Sequence, residues 1–396
     1  MAAPPNDRNL TATLELLLPD ETDSRLLQAC LVEPPASAVA WTSWTQMVGD
    51  PKQTLEQDRR GLKGLLPLIY LAVDKHGFSV PDGFRTYLRA GSFREELRWN
   101  AIENILGQIV QIFEKRGIAF TIVGGVAAAL TVYDRPEHRH CHQLSLLVGD
   151  AISDASDALA EAGFKRDRQR VRRRTRPCFS VLHHHHDGLP VLLMSDLSGH
   201  PCHAAAGTIE KPVSVESIGR TVPVTTPTDQ LVTIMAQAAT SRTRLNLRWV
   251  CDIWKTLDSS GEVDWERFQS EVGERRLALP GAVMFRYLAD KLDAPIPAPA
   301  LSALEARAQQ ATSIEREAAL AGALLGLTST CRFLAAADWF TRMEAARYLL
   351  APSQARLDWE YGHDPKWRRL LRYIERPTRY GLSRLLRMAK PESRGA

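Results

Sequence analysis

An α+β (mixed α/β) fold, with a small mixed sheet set between helical regions, follows from three observations on the 396-residue sequence. A long helical stripe closes at Gly117. A β-branched run over residues 118–123 then meets Gly124-Gly125 and a small-residue helix. After Pro227 helical spacing returns and persists. The expected divisions are an N-terminal helical region at 1–95, an α/β core at 96–225, a helical domain at 226–300 and a helical, basic C-terminal extension at 301–396.

Each element has a local cause. Residues 22–33 carry helical spacing with an acidic first turn, and Pro34-Pro35 stop them. Residues 55–74 are apolar enough for a buried helix, with a break expected near Pro67. From 82 to 116 the pattern is helical again, with Ile102, Ile105, Leu106, Ile109, Ile112 and Phe113 on one stripe. Ile118 to Val123 predict a strand, Gly124-Gly125 a tight turn, and "VAAALTVY" a helix that can pack closely on a sheet. Leu144 to Val148 predict a second strand, and "AISDASDALAEAGF" an amphipathic helix that ends at Gly163. Segments 164–182 and 188–197 predict further strands, joined by a loop from His183 to Gly188. "TPTDQLVTIMAQAAT", "RLNLRWVCDIWKTLD" and "VDWERFQSEVG" predict the later helices, and "IPAPA" a linker.

Composition excludes several classes. Hydrophobic residues make up 44% and charged residues 24%, as in a globular protein. A net charge of +4, with the basic residues spread out, does not by itself call for nucleic acid. No apolar run approaches the length of a membrane span, and the N-terminus lacks a secretory pattern. The six cysteines are scattered without a C-x-x-C pair, so a reduced, cytoplasmic protein is expected. No Ser/His/Asp triad, P-loop, dinucleotide fingerprint or kinase signature is present.

The informative order is strand, Gly turn, helix, Tyr133, Arg139, then a strand ending Leu146-Leu147-Val148. Two carboxylates one residue apart on such a strand would share a face and could bridge two divalent ions, with a third acid from a neighbouring strand. On these residues the chain resembles the uncharacterised nucleotidyltransferase family, a branch of the DNA polymerase β-like nucleotidyltransferases. The family core is similar to L-K-G-x-A-L-A, Tyr, D-P-x-x-R-P-x-G-D-I-D-L-L-V. Without a gap it lies on Gly125, Ala127 to Ala129, Tyr133, Pro136, Arg139 and the closing triplet. "DALAEAGFKRD", "RLNLRWVCDIWKTL" and "VDWERF" extend the likeness to roughly residues 20–300.

The resemblance implies a nucleotidyltransferase-like core, and places the family aspartates on Gln143 and Ser145 and the third acid on Leu192, in "GLPVLLMSDL". All three metal positions are therefore degenerate. Asp196 shares parity with Leu192 but lies four strand residues away, on the order of 13 Å. Asp150 has the wrong parity, and Asp134 and Asp187 fall in loops. Neutral oxygens are poor substitutes for the carboxylates that hold Mg²⁺ on a triphosphate. The expectation is a catalytically impaired family member that retains nucleotide or phosphate binding through Gly124, Gly125 and Arg139, or acts as a regulatory or partner protein. Mg²⁺ with an NTP is implied only if activity remains. The alternatives are active nucleotidyl transfer with unconventional metal ligands such as His140 and His142, and a scaffold that binds no nucleotide.

Three further signals stand apart. Nine of the eleven histidines lie between His138 and His203, where imidazoles could hold zinc or simply line a polar loop. "KRDRQRVRRRTR" carries eight Lys/Arg, and alternation puts Arg166, Arg168, Arg170, Arg172 and Arg174 on one face, suited to phosphate or to a charged edge strand. "KWRRLLRYIERPTRYGLSRLLRM" is a basic amphipathic tail that could rest on an anionic membrane, dock a protein partner or pack on its own domain. Trp249, Trp254 and Trp265 are read as core packing.

Overall fold

The structure, a computed structural model, describes residues 7–167, 172–173, 179–195, 212–240, 246–259, 262–323 and 339. Six helices precede the sheet: α1 (Asp7–Glu15), α2 (Glu21–Leu31), α3 (Ala36–Val48), α4 (Pro51–Glu56), α5 (Leu66–Lys75) and α6 (Asp82–Arg116). Asp20 caps α2, its carboxylate accepting from the Asp23 N–H at 2.9 Å. The expected break at Pro67 lies earlier in the chain. Asp58, Arg60 and Gly61 take positive φ there, whereas Pro67 occupies the first turn of α5, where its missing N–H costs nothing.

The stripe read from 102 to 113 is the buried face of the second half of α6, and Gly117 closes the helix in the left-handed region. The helix runs through residue 96 without interruption. Phe84 and Leu88, near its start, join a core built from α2–α5 and from helices that follow the sheet, while Trp99 to Phe113 join the sheet's own core.

The sheet is mixed. Its strands are β1 (Thr121–Val123), β2 (Leu144–Leu147), β3 (Lys165–Arg166), β4 (Arg172–Arg173), β5 (Phe179–His184), β6 (Pro190–Met194), β7 (Val213–Ser217) and β8 (Arg220–Val224). The order is β3-β5-β6-β2-β1-β8-β7, with β4 also paired to β5. β2 runs antiparallel to β1 and parallel to β6, which places it centrally. Between β1 and β2 lies α7 (Gly125–Thr131), and after β2 comes α8 (Ile152–Glu161). Leu144 and Leu146 face the core made with α6 and α8. The expected loop from His183 is shorter than the sequence suggests: His183 and His184 complete β5, and the turn begins at His185. The β7–β8 hairpin turns on Ile218 and Gly219, both at positive φ; the "SIGR" stretch lacks the Asn-Gly signal that would have exposed it.

Helices α9 (Pro227–Thr240), α10 (Arg248–Asp258), α11 (Trp265–Glu274), α12 (Ala278–Leu292), α13 (Ala298–Gln309) and α14 (Ser313–Ala323) follow. "IPAPA" is not simply a linker, because Pro297 caps α13 and Pro299 sits in its first turn. Trp249 and Trp254 pack in the core, and Trp265 lies against it. No described helix is long and apolar enough to cross a membrane.

Candidate functional site

Residues across a sheet pair in rows, and the rows on one face of β2 define the candidate site. Ser145 is the Cα partner of Val123 on β1 and of Leu192 on β6, and Leu192 in turn partners Leu182 on β5. The next row reads Thr121, Leu147, Met194 and Ser180. None of these eight residues carries a carboxylate, an imidazole or a thiol, and the first row meets an acid only at its far edge, where the Asp167 N–H donates to the Leu182 carbonyl. Gln143 precedes β2, and its Nε2 donates to the Ser145 Oγ at 3.0 Å. The structure thus pairs Ser145 with Leu192 and joins Gln143 to Ser145. They do not fit a magnesium pair: a neutral amide bonded to a neutral hydroxyl, beside a leucine, supplies no anionic oxygen. Asp134 and Asp150 are exposed outside the strands, Asp187 lies in the β5–β6 turn, and Asp196 lies outside the described residues.

Gly124, at φ +69, makes the turn from β1 into α7, and a Cβ there would meet open space. Gly125 is constrained differently. A Cβ on it would collide with the Arg139 guanidinium, so a side chain here would force that group off its place on Asp252. Arg139 is directed into the protein. Its Nε and Nη2 donate to the two carboxylate oxygens of Asp252 at 3.2 and 2.7 Å, and its Nη1 donates to the His140 carbonyl at 2.7 Å. The Tyr133 hydroxyl donates to the same carboxylate at 2.8 Å. Although burial alone would lower it, the Asp252 charge holds the Arg139 pKa well above its ordinary value. Tyr133 is pushed up by burial first and by Asp252 second.

Beside this clamp lies a second basic group. Arg98 Nη1, His140 Nδ1 and Glu95 Oε2 meet in a triangle, with 2.7 Å from Arg98 to His140 and 2.8 Å from His140 to Glu95. Despite burial, hydrogen bonds from His140 and Arg98 keep the Glu95 carboxyl below its usual range. His142 points its Nδ1 at Arg248 Nη1, 3.2 Å away. Its pKa is pushed down to about 4, by desolvation of the ring first and Arg248 second, although the residue as a whole is exposed. Among the described residues, His140 and His142 belong to no cluster of three His, Cys, Asp or Glu ligand atoms.

Arg248 is the residue that pattern reading missed. Its Nε donates to Asn246 Oδ1 at 2.9 Å and its Nη1 to the His140 carbonyl at 3.2 Å, but among the described residues it has no carboxylate partner. Desolvation first, and repulsion from Arg139 second, bring its pKa down to about 10. Arg248 and Asp252 stand four apart on α10 and so share a face, a spacing visible in "RWVCD" whose meaning depends on what that face meets.

The Arg-rich strand is described only in part. β3 and β4 lie along the same edge of β5, and Arg166 pairs with Asp157 at 2.5 Å. Arg168, Arg170 and Arg174, and the basic tail from Lys366, lie outside the described residues.

The family described as an uncharacterised nucleotidyltransferase has a model that matches residues 62–293, more than half of the chain. No curated protein and no solved structure matches it.

Proposed function

The chain belongs to the uncharacterised nucleotidyltransferase family, and on that premise we propose that it binds an anionic ligand, a nucleotide or other phosphorylated compound, without paired magnesium ions and without nucleotidyl transfer. The observation that carries the proposal is the register of β2: Ser145 is flanked in its row by Val123 and Leu192, where metal chemistry needs carboxylates. Arg248 supports the ligand half. A largely desolvated guanidinium without a counter-ion among the described residues is costly, and an arriving phosphate or carboxylate removes that cost. The expected phosphate contact of Arg139 passes in this proposal to Arg248, assisted by Arg98, because Arg139 commits its fork to Asp252. Gly124 and Gly125 then shape the turn behind the ligand. The protein would act as a binding or regulatory member of its family in the cytoplasm, with Cys30, Cys141 and Cys251 as free thiols.

The test is nucleotide binding by calorimetry in excess chelator, followed by pyrophosphate release with each NTP and Mg²⁺ or Mn²⁺. Binding in chelator, weakened tenfold or more in Arg248→Ala, with no pyrophosphate released, is the expected result. Metal-dependent turnover would overturn the non-catalytic half and restore the reading in which other residues, such as His140 and His142, hold the ions. No binding of any nucleotide or inorganic phosphate would overturn the ligand half and leave a scaffold.

A further inference from the structure

The β5–β6 turn gathers three metal-ligating groups on consecutive residues. His185, His186 and Asp187 each offer one ligand atom, and these atoms lie within 4.8 Å of one another. His185 Nδ1 stands 3.2 Å from one Asp187 carboxylate oxygen, and His186 Nε2 stands 3.2 Å from the other. Each separation, to a different oxygen of Asp187, is close to the ligand–ligand edge of a tetrahedral zinc site, about 3.3 Å for ligand bonds near 2.05 Å.

Gln108, from outside the turn, supplies a support for the His185 ring. Its Nε2 faces Gln108 Oε1 on α6 at 3.3 Å, an acceptor that calls for a proton on Nε2. Its Nδ1 accepts the Asp187 backbone N–H at 3.4 Å, which requires a lone pair there. With the proton on Nε2, the single Nδ1 lone pair meets the Asp187 N–H only weakly, at 3.4 Å, and a cation at Nδ1 would take that lone pair in its place. Nδ1 and the Asp187 carboxylate oxygen stand 3.2 Å apart, a separation that either a proton on Nδ1 or a shared cation bridges. An acceptor on the far ring nitrogen of a ligating imidazole orients it, most often a carboxylate, a backbone carbonyl or water, and the Gln108 carbonyl takes that place here. The turn is already closed, since the Gly188 N–H donates to the His185 carbonyl at 2.9 Å. His185 is buried against Phe164, whereas His186 is 77% exposed, so an ion would have a path in and an open fourth position.

We propose that His185, His186 and Asp187 form a binding site for a divalent ion of the zinc class, supported by Gln108. Two imidazoles and one carboxylate suit Zn²⁺ or Co²⁺ better than Mg²⁺. His185 has the strand parity of the buried His183, so the site is on the α6 and α8 side of the sheet, the face opposite Ser145. It is independent of the ligand proposed above.

The chelator-stripped full chain would be titrated with ZnCl₂ by calorimetry, and with Co²⁺ followed by visible absorption. One equivalent is expected, with the Kd raised tenfold or more in His186→Ala and in Asp187→Ala. Both side chains are substantially exposed, so melting in chelator should be unchanged and the variants remain folded. Gln108→Leu should also weaken binding, and Gln108→Glu, which still accepts the Nε2 proton, should restore it. Absence of Zn²⁺ and Co²⁺ uptake overturns the site. Uptake that His186→Ala and Asp187→Ala leave unaltered also overturns it, by placing the ion on other histidines.

Discussion

Arg139 and Asp252, 113 residues apart in sequence, form a two-bond ion pair in which the side chains are 13% and 4% exposed. The pair ties the loop before β2 to α10, and Tyr133 shares its carboxylate. Removing one charge leaves the other buried without a partner, at a cost of about 3–5 kcal/mol. Asp252→Asn keeps the shape and removes the charge, so denaturant unfolding should show most of that loss. A loss below about 1 kcal/mol would mean that the pair holds little of the fold together.

Gly125→Ala tests the same clamp from the other side. A methyl group there meets the Arg139 guanidinium head-on, so the variant should lose stability even though alanine is the better helix former. Combined with Arg139→Ala, the added cost of the methyl should largely vanish, because the colliding group is gone. A double-mutant cycle with additive losses would assign the glycine to backbone conformation alone.

The neutral row at Ser145 predicts how the chain responds to restored acids. Gln143→Asp, Ser145→Asp and Leu192→Asp together place like charges in adjacent strand positions among apolar neighbours, costing several kcal/mol. The melting midpoint in chelator should fall, and Mg²⁺ or Mn²⁺ should recover part of it. Absence of recovery in a chain that still melts cooperatively would show that these three positions do not converge on one ion.

His183 predicts acid sensitivity. Burial, and secondarily Arg166, push its pKa down to about 4 from an ordinary 6.5, with its Nε2 held 3.0 Å from the Ser156 hydroxyl. Between those values the unfolded chain binds a proton that the folded chain does not. The contribution is thus complete above pH 6.5 and is lost as pH falls toward 4, by up to roughly 3 kcal/mol. His183→Gln should flatten the stability curve in that window, measured by urea unfolding at several pH values. An unchanged slope would remove His183 as the cause.

Local pattern and tertiary contact divided the structure between them. The α6 stripe, its stop at Gly117, the strand and glycine turn at 121–125, and the β2 strand were legible because each depends on neighbours a few residues away. Strand spacing put Gln143 and Ser145 on one face, whereas their standing as metal positions rests on the family resemblance. Pro67 and "IPAPA" misled because a proline reads alike whether it breaks a helix or begins one. The partner of Leu192, the counter-ion of Arg139 and the lack of a carboxylate partner for Arg248 among the described residues are facts of register and packing. The sequence by itself determined which groups were available, the neutral Gln143, Ser145 and Leu192 among them. Only the tertiary structure decided which of them meet, because the contacts that neutralise a buried charge or set a strand's neighbour join residues far apart along the chain.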